Sequence, residues 1–249
     1  MKVSIITVCF NSEKTIASCV KSVVDQDYSK IEHIIIDGAS TDRTLEVVKE
    51  VSIPDKLISE PDCGIYDAMN KGLTLSTGDV VCFLNSDDQY AHNKVISNVV
   101  KEMTDDHLDA LVTDVVFFNS KDPSKIVRRF ISRRFSSDGF SWGWMPAHPG
   151  LFLSKKVISA TGLFKCDYKI AGDFEYVIRA FHQKRWKYKY LPEVTVRMLI
   201  GGVSTKGLRS KITLNLEMLK ACRENGIKTN LIKILMRYPF KLLELLNPK

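Results

Sequence analysis

The chain has 249 residues, 45% of them hydrophobic and 26% charged, with 13 glycines and 8 prolines. That composition excludes a disordered, collagen-like or disulfide-scaffold protein and supplies enough apolar material for one large core plus an appendage. The formal net charge of +7 comes wholly from residues 206–249, where ten Lys/Arg face three Glu; the first 205 residues balance to zero, without the basic face interleaved with aromatics that nucleic acid requires. No run approaches the ~18 apolar residues that cross a bilayer. The opening MKVSIITVCFNSEKT turns polar at Asn11, too early for a signal-peptide core. A cytoplasmic protein without a nucleic-acid partner is expected. The six scattered cysteines, with no CxxC pair, fit a reducing compartment.

In chain order, Val3–Val8 reads as a buried strand, and Ile16, Ala17, Val20, Val23 and Val24 share one helical face after it. His33–Asp37 is a second strand, followed by a helix through Leu45, Val48 and Val51. Lys56–Ser59 is a third strand, Ile65–Leu75 a helix, Val80–Leu84 a fourth strand, Lys94–Met103 a helix and Ala110–Phe118 a fifth strand. This alternation predicts an α/β fold, a mostly parallel sheet covered on both faces, with ligands at the carboxyl ends of its strands. Beyond residue 120, Ile126–Phe130 and Leu151–Leu153 read as short strands, Phe174–Phe181 as a helix, and Lys187–Leu191 and Val194–Ile200 as a hairpin turned by Pro192-Glu193. Leu208–Asn225 and Leu231–Leu246 read as helices, the first ended by Gly226 and the second kinked by Pro239. Gly201–Ser204 reads as a loop able to close over a ligand.

Three acidic clusters fall at the functional edge of such a sheet. Asp37 ends the second strand in DGASTDRT, where it can accept hydrogen bonds from a nucleoside or belong to a turn in which Ser40 or Asp42 is expected to cap the next helix. Asp87 and Asp88 adjoin after the fourth strand; such a pair is either a solvated turn or the hard-oxygen share of a Mg²⁺ or Mn²⁺ site completed by substrate phosphates. Asp173 and Glu175 open a later helix, either as ordinary first-turn acids or as a general base. Between the first two clusters, Gly64 and Gly72 permit close backbone approach, and Lys71 either meets an anion or faces solvent. Neither GxxxxGK[ST] nor GxGxxG occurs.

Five stretches in collinear order, SIITVCFNS, DGASTDRT, SEPDCGIYDAMNKG, STGDVVCFLNSDD and HPGLFLSKKVISATGLFKCDYKIAGDFEYVIR, resemble the family 2 glycosyltransferases over about residues 1–205. The likeness is greatest to bacterial members that build polysaccharides or lipid-linked glycans. The resemblance implies a GT-A fold, Rossmann-like in its sheet, over 1–205, followed by a helical basic region over 206–249. It further implies a nucleotide-diphospho-sugar donor, a glycan or lipid-linked acceptor, a Mg²⁺ or Mn²⁺ cofactor and inversion at the anomeric carbon. By position, Thr7, Asn11 and Asp37 would line the nucleotide pocket, Asp62, Gly64, Lys71 and Asp87 would face the donor, and Asp87 and Asp88 would match the DxD-like metal element. Asp173 would be the base, and His148 and Trp144 would lie near the donor–acceptor junction. Two positions depart from the family pattern: Asn85 stands where the first DxD carboxylate is common, and Gly172 precedes Asp173 where a glutamate is common.

Two other readings stay open at this stage. A sugar-nucleotide nucleotidyltransferase would be expected to carry a glycine-rich loop after its first strand, where this chain has CFNSEKT, and a non-catalytic sugar-nucleotide-binding subunit would keep the acids without using them. In the last helix, Lys233, Arg237 and Lys241 recur every four residues beside a leucine-rich face, which fits either a peripheral membrane contact or packing on protein.

Overall fold

A computed structural model describes residues 1–201 and 207–239. Its centre is a mixed, mostly parallel nine-stranded sheet. The first half alternates as expected: β1 Val3–Cys9, α1 Ile16–Val24, β2 Ile31–Asp37, α2 Thr44–Val51, β3 Lys56–Ser59, α3 Ile65–Leu75, β4 Val80–Phe83. There follow β5 Asp88–Tyr90, α4 Val95–Asp105, β6 Ala110–Asn119, β7 Asp122–Phe130, β8 Leu151–Ser154, α5 Lys155–Thr161, α6 Gly172–Phe181, β9 Tyr188–Leu199, α7 Gly207–Glu224 and α8 Leu231–Leu235. The strand order is β3-β2-β1-β4-β8-β6-β9-β5, with β7 paired to β6 off that path. Strands β1 to β4 run parallel, so the segments after β1, β2, β3 and β4 emerge at one edge. Strand β8 is antiparallel to both β4 and β6, so β6 runs in the direction of β4.

Alternation along buried strands builds two apolar layers. Ile6, Val8, Ile34, Ile36, Val81 and Phe83 face α3 and α6, while Val3, Ile5, Val80, Cys82 and Leu84 face α1 and α4. The first layer takes in Met218, Ala221 and Cys222 of α7 and Ile234 of α8, all buried against Phe140 and its neighbours. The C-terminal helices thus share the core of the body.

Several elements differ from the sequence expectation. The segment around Pro192-Glu193 is no hairpin turn: β9 runs through it as one strand parallel to β6, absorbing the proline in register shifts opposite Asp114. The short β5 pairs antiparallel with β9, a long-range partner that three residues cannot advertise. Strand β7 begins four residues earlier than its apolar end suggested, because it is an exposed edge strand of polar side chains. Helix α8 ends at Leu235; the remainder of the helix expected to Leu246 lies beyond a turn at Met236, and residues 240–246 are outside the described ones, as are 202–204 of the expected loop. Arg237 does not join an outer basic stripe. It is 4% exposed, donates from Nη2 to Asn215 Oδ1 at 2.9 Å and contacts Met218 Sδ. Lys233 lies 5.3 Å over the Trp142 ring, and Lys241 is outside the described residues.

Candidate active site

The carboxyl ends of β1 to β4 carry a linked set of polar loops. Asp37 is fully buried, and its carboxylate accepts from Ser40 N at 3.0 Å, Ser40 Oγ at 2.5 Å and Ser59 Oγ at 2.6 Å, with the Cys9 thiol at 3.6 Å. Four donors fill its lone pairs, so here it braces the DGAS turn, and burial plus this negative neighbour push the Cys9 thiol pKa far up. Asn11 has a left-handed backbone, φ 47°, which its short side chain stabilises by accepting from Thr41 N at 2.9 Å. Asp62 caps Gly64 N at 2.8 Å and packs directly on Gly38, where any Cβ would strike its carboxylate. Gly64, with φ 117°, needs the freedom of glycine to open α3.

Lys71 faces this loop but is engaged: Nζ donates to Pro61 O at 2.9 Å and pairs with Glu60 at 2.9 Å, which raises its pKa. Thr7 sits below the rim. It is fully buried and bonded to His33 Nε2 at 3.0 Å, so it supports β1 from within the sheet.

The β1 loop meets the β4 loop through Ser12 Oγ and Ser86 Oγ, 2.9 Å apart. After β4 the two carboxylates differ. Asp87 is half-buried, whereas Asp88 is 1% exposed, receives Asn85 Nδ2 at 3.2 Å, and has its pKa pushed well above the carboxylate range by burial and by the Asp87 charge. Asn85 Oδ1 is buried without a hydrogen-bond partner. An orphaned amide oxygen beside two carboxylates is a hard-oxygen donor set, and it fits Mg²⁺ or Mn²⁺ sharing its coordination with substrate phosphates. Among the described residues no three His, Cys, Asp or Glu side chains gather closely enough to hold a metal alone.

An aromatic wall joins this rim to α6. Phe83 at the end of β4 packs on His148 at 4.9 Å and on Phe164 at 5.5 Å; Phe164 stacks on Tyr66 at 5.8 Å and on Tyr176 at 4.1 Å. Burial lowers the His148 pKa to about 4, which keeps the imidazole neutral near pH 7. Tyr66 reaches the start of α6, its hydroxyl donating to Ile170 O at 2.6 Å and accepting from Gly172 N at 2.8 Å. A Cβ at Gly172 would lie 2.6 Å from the Tyr66 ring, so the aromatic occupies the space a glutamate at 172 would need. Trp144, half-buried, closes the preceding turn by donating its backbone N to Gly139 O at 3.0 Å.

The two acids of α6 part company. Glu175 is fully buried and held by Arg179 at 2.9 Å and Lys165 at 3.1 Å, a structural ion cluster. Asp173 is partly buried, its carboxylate accepting from Phe174 N at 2.7 Å, and desolvation raises its pKa to about 6. Arg237 opposes that rise and Glu217 adds to it. Sequence reasoning missed both. Glu217 accepts from the backbone N–H groups of Lys169, Ile170 and Ala171 at 2.8, 2.9 and 2.8 Å, clamping the segment that presents Asp173. Arg237 keeps a buried Nε without a partner. A lone acid in α7 and a basic residue in a leucine-rich tail carry no local signal of either task.

This sheet order, with acid-bearing loops at one edge, defines a GT-A glycosyltransferase fold. The family model for glycosyl transferase family 2 matches residues 4–164, and the chain belongs to that family. An uncharacterized glycosyltransferase of Mycobacterium tuberculosis is 33% identical over 184 residues, covering 72% of this chain and 68% of the relative. The PGL/p-HBAD biosynthesis glycosyltransferase of Mycobacterium bovis is 26% identical over 203 residues, covering 76% and 73%. Among solved structures, S. aureus TarS 1-349 superposes with a TM-score of 0.70 at 17% identity, covering 94% of this chain and 71% of TarS. The mannosyltransferase PcManGT from Pyrobaculum calidifontis, solved with GDP-Man and Mn²⁺, gives 0.64 at 19%, covering 90% and 63%. The nucleotidyltransferase reading falls to the family match. That match ends before Asp173, so the role of Asp173 rests on its geometry.

Proposed function

We propose that the chain transfers a sugar, with inversion, from a nucleotide-diphospho-sugar to a hydroxyl of a glycan or lipid-linked acceptor, using Asp173 as the base. The observation that carries this reading is the contrast at α6: Glu175 is consumed by Arg179 and Lys165, while Asp173 keeps a raised pKa and open lone pairs at the end of the aromatic wall. A single carboxylate suffices for inversion, because the attacking hydroxyl gives up its proton as its oxygen adds opposite the leaving diphosphate.

On the donor side, Asn11, Asp37, Asp62 and Gly64 shape the nucleotide rim, with Asp37 acting through the turn it braces. Lys71 would exchange Glu60 for an anionic donor oxygen. Asp87 and the Asn85 amide oxygen would hold Mg²⁺ or Mn²⁺, with Asp88 beneath; when bound, the cation would neutralise charge on the departing diphosphate. His148 supplies a neutral wall at the junction, and Trp144 shapes its far side.

The domain reading becomes a single catalytic unit in which 207–239 completes the core. Among the described residues no helix is long and apolar enough to cross a membrane. Ile232 at 73% exposure, with Leu235 and Met236 beside it, supports peripheral attachment at the cytoplasmic face of a membrane. A thermal-shift panel of UDP-, GDP- and dTDP-sugars with and without Mn²⁺ tests the donor reading. One nucleotide should stabilise the chain, and only with the metal; a flat panel would remove it.

A further inference from the structure

Where β6, β7 and β9 meet lies a cavity of about 450 Å³ lined by Asp114, Arg129, Ile131, Arg133, Tyr190 and Pro192. Its floor is a buried carboxylate already satisfied. Asp114 is 0% exposed and accepts from Arg129 Nε and Nη2 at 3.1 and 2.7 Å, Ser132 N at 2.9 Å and Tyr190 OH at 3.0 Å. With that charge balanced by Arg129, the guanidinium of Arg133 stands unopposed. Arg133 is exposed and has no ion pair or hydrogen bond from its side chain among the described residues, and Arg129 Nη1 is likewise unspent. The neutral balance of residues 1–205 conceals a local excess, because residues 121–134 hold six Lys/Arg and one Asp.

The cavity is also fixed relative to the candidate base. Asp114 follows Thr113, whose hydroxyl donates to Gly150 O at 3.0 Å and so ties β6 to the turn that carries His148. Phe135, just after Arg133 and Arg134, packs edge-on against Phe181 of α6 at 5.0 Å. Strand β6 is separated from β4 by β8 alone, about 10 Å at the usual strand spacing. The cavity therefore adjoins the rim on the side away from β1 to β3, where the nucleotide is proposed to sit.

We propose that this cavity binds a phosphate or pyrophosphate group of the acceptor through Arg133 and Arg129, with the stem of that acceptor against Ile131 and Pro192. Planar guanidinium groups match phosphate oxygens two at a time, and the cavity is larger than the anion, leaving room for what it is attached to. This inference rests on the transferase reading for the word acceptor alone; the anion site stands on its own geometry.

The test titrates inorganic pyrophosphate into the full chain at low salt with the donor side saturated by nucleoside diphosphate. Four proteins are compared: wild type, Asp87→Asn, Arg133→Ser and Arg133→Lys. Expected is binding by wild type and Asp87→Asn alike, a loss of at least tenfold in Arg133→Ser, and an intermediate value in Arg133→Lys. Equal binding by Arg133→Ser, loss in Asp87→Asn, or no binding by wild type each overturns the site. Because binding is read without transfer, an inactive protein that still shows this pattern would refute the transferase reading and leave the anion site intact. In transfer assays, a prenyl-pyrophosphoryl sugar and a glycerol phosphate oligomer distinguish the two sources of the anion. Arg133→Ser should raise KM for whichever is used and leave donor KM unchanged; an unphosphorylated sugar used equally well, with no effect of Arg133→Ser, would overturn the proposal.

Discussion

Replacing Asp173 by Asn should separate chemistry from stability in opposite directions. The folded protein holds the Asp173 pKa at about 6, above the ordinary 3.8, because burial penalises the carboxylate. At about 1.4 kcal/mol per pH unit this difference is about 3 kcal/mol; partial exposure lets water screen roughly half, leaving about 1.5 kcal/mol. The sign follows from linkage: a raised pKa favours the protonated fold, so the stabilisation is complete below about pH 4 and lost as pH rises through about 6. At pH 8 the native chain bears the full penalty and the Asn variant none. Asparagine keeps the oxygen that accepts from Phe174 N, so nothing else need be lost. Differential scanning calorimetry should show the variant melting roughly 3–6 °C higher at pH 8, a gain that vanishes at pH 4. Transfer at saturating donor should meanwhile fall by about 10²–10⁴-fold. A variant that melts lower than wild type at pH 8, or transfers within tenfold of it, would refute the reasoning.

Four further outcomes follow from the same geometry. The wild-type kcat/KM should rise with pH through about 6 and level off above it, since only ionised Asp173 accepts a proton; a profile flat from pH 5 to 8 would count against this base. Glu217→Ala strips the clamp from three backbone N–H groups and should lower kcat with donor KM unchanged, while costing about 1–3 kcal/mol in urea unfolding. Gly172→Ala forces a methyl against the Tyr66 ring and should destabilise by about 1–3 kcal/mol; pairing it with Tyr66→Ala should recover part of that loss. Ile232→Glu, at a position 73% exposed, should abolish flotation with anionic liposomes and leave the melting temperature within a degree or two; unchanged flotation would sever α8 from membrane attachment.

Legibility tracked the range of the interactions involved. The first half of the sheet was readable because β1, β2 and β4 are almost wholly buried apolar runs and the helices between them keep a regular apolar spacing, which brackets even the partly exposed β3. The short β5 and the unbroken β9 were not, because β5 depends on a partner roughly 110 residues away and β9 on one roughly 80 away, and the proline of β9 sits where a register shift tolerates it. Within the site, Asp173 could be nominated from its place before an apolar helix, but only the structure separates it from Glu175, whose cations come from positions 165 and 179. The departure at Gly172 makes sense once Tyr66 is seen filling the space above it. Arg237 looked like part of a surface stripe because periodicity locates a face without saying what that face meets.

The dependence of Asp173 on residues 217 and 237 has a temporal consequence. The strands of the proposed donor rim are synthesised within the first ninety residues, whereas the residues packed around Asp173 follow more than a hundred residues later. On the proposed reading, the nucleotide loops leave the ribosome well before the groups that fix Asp173. Transfer, on that same reading, waits for α7 to dock against the segment that presents Asp173.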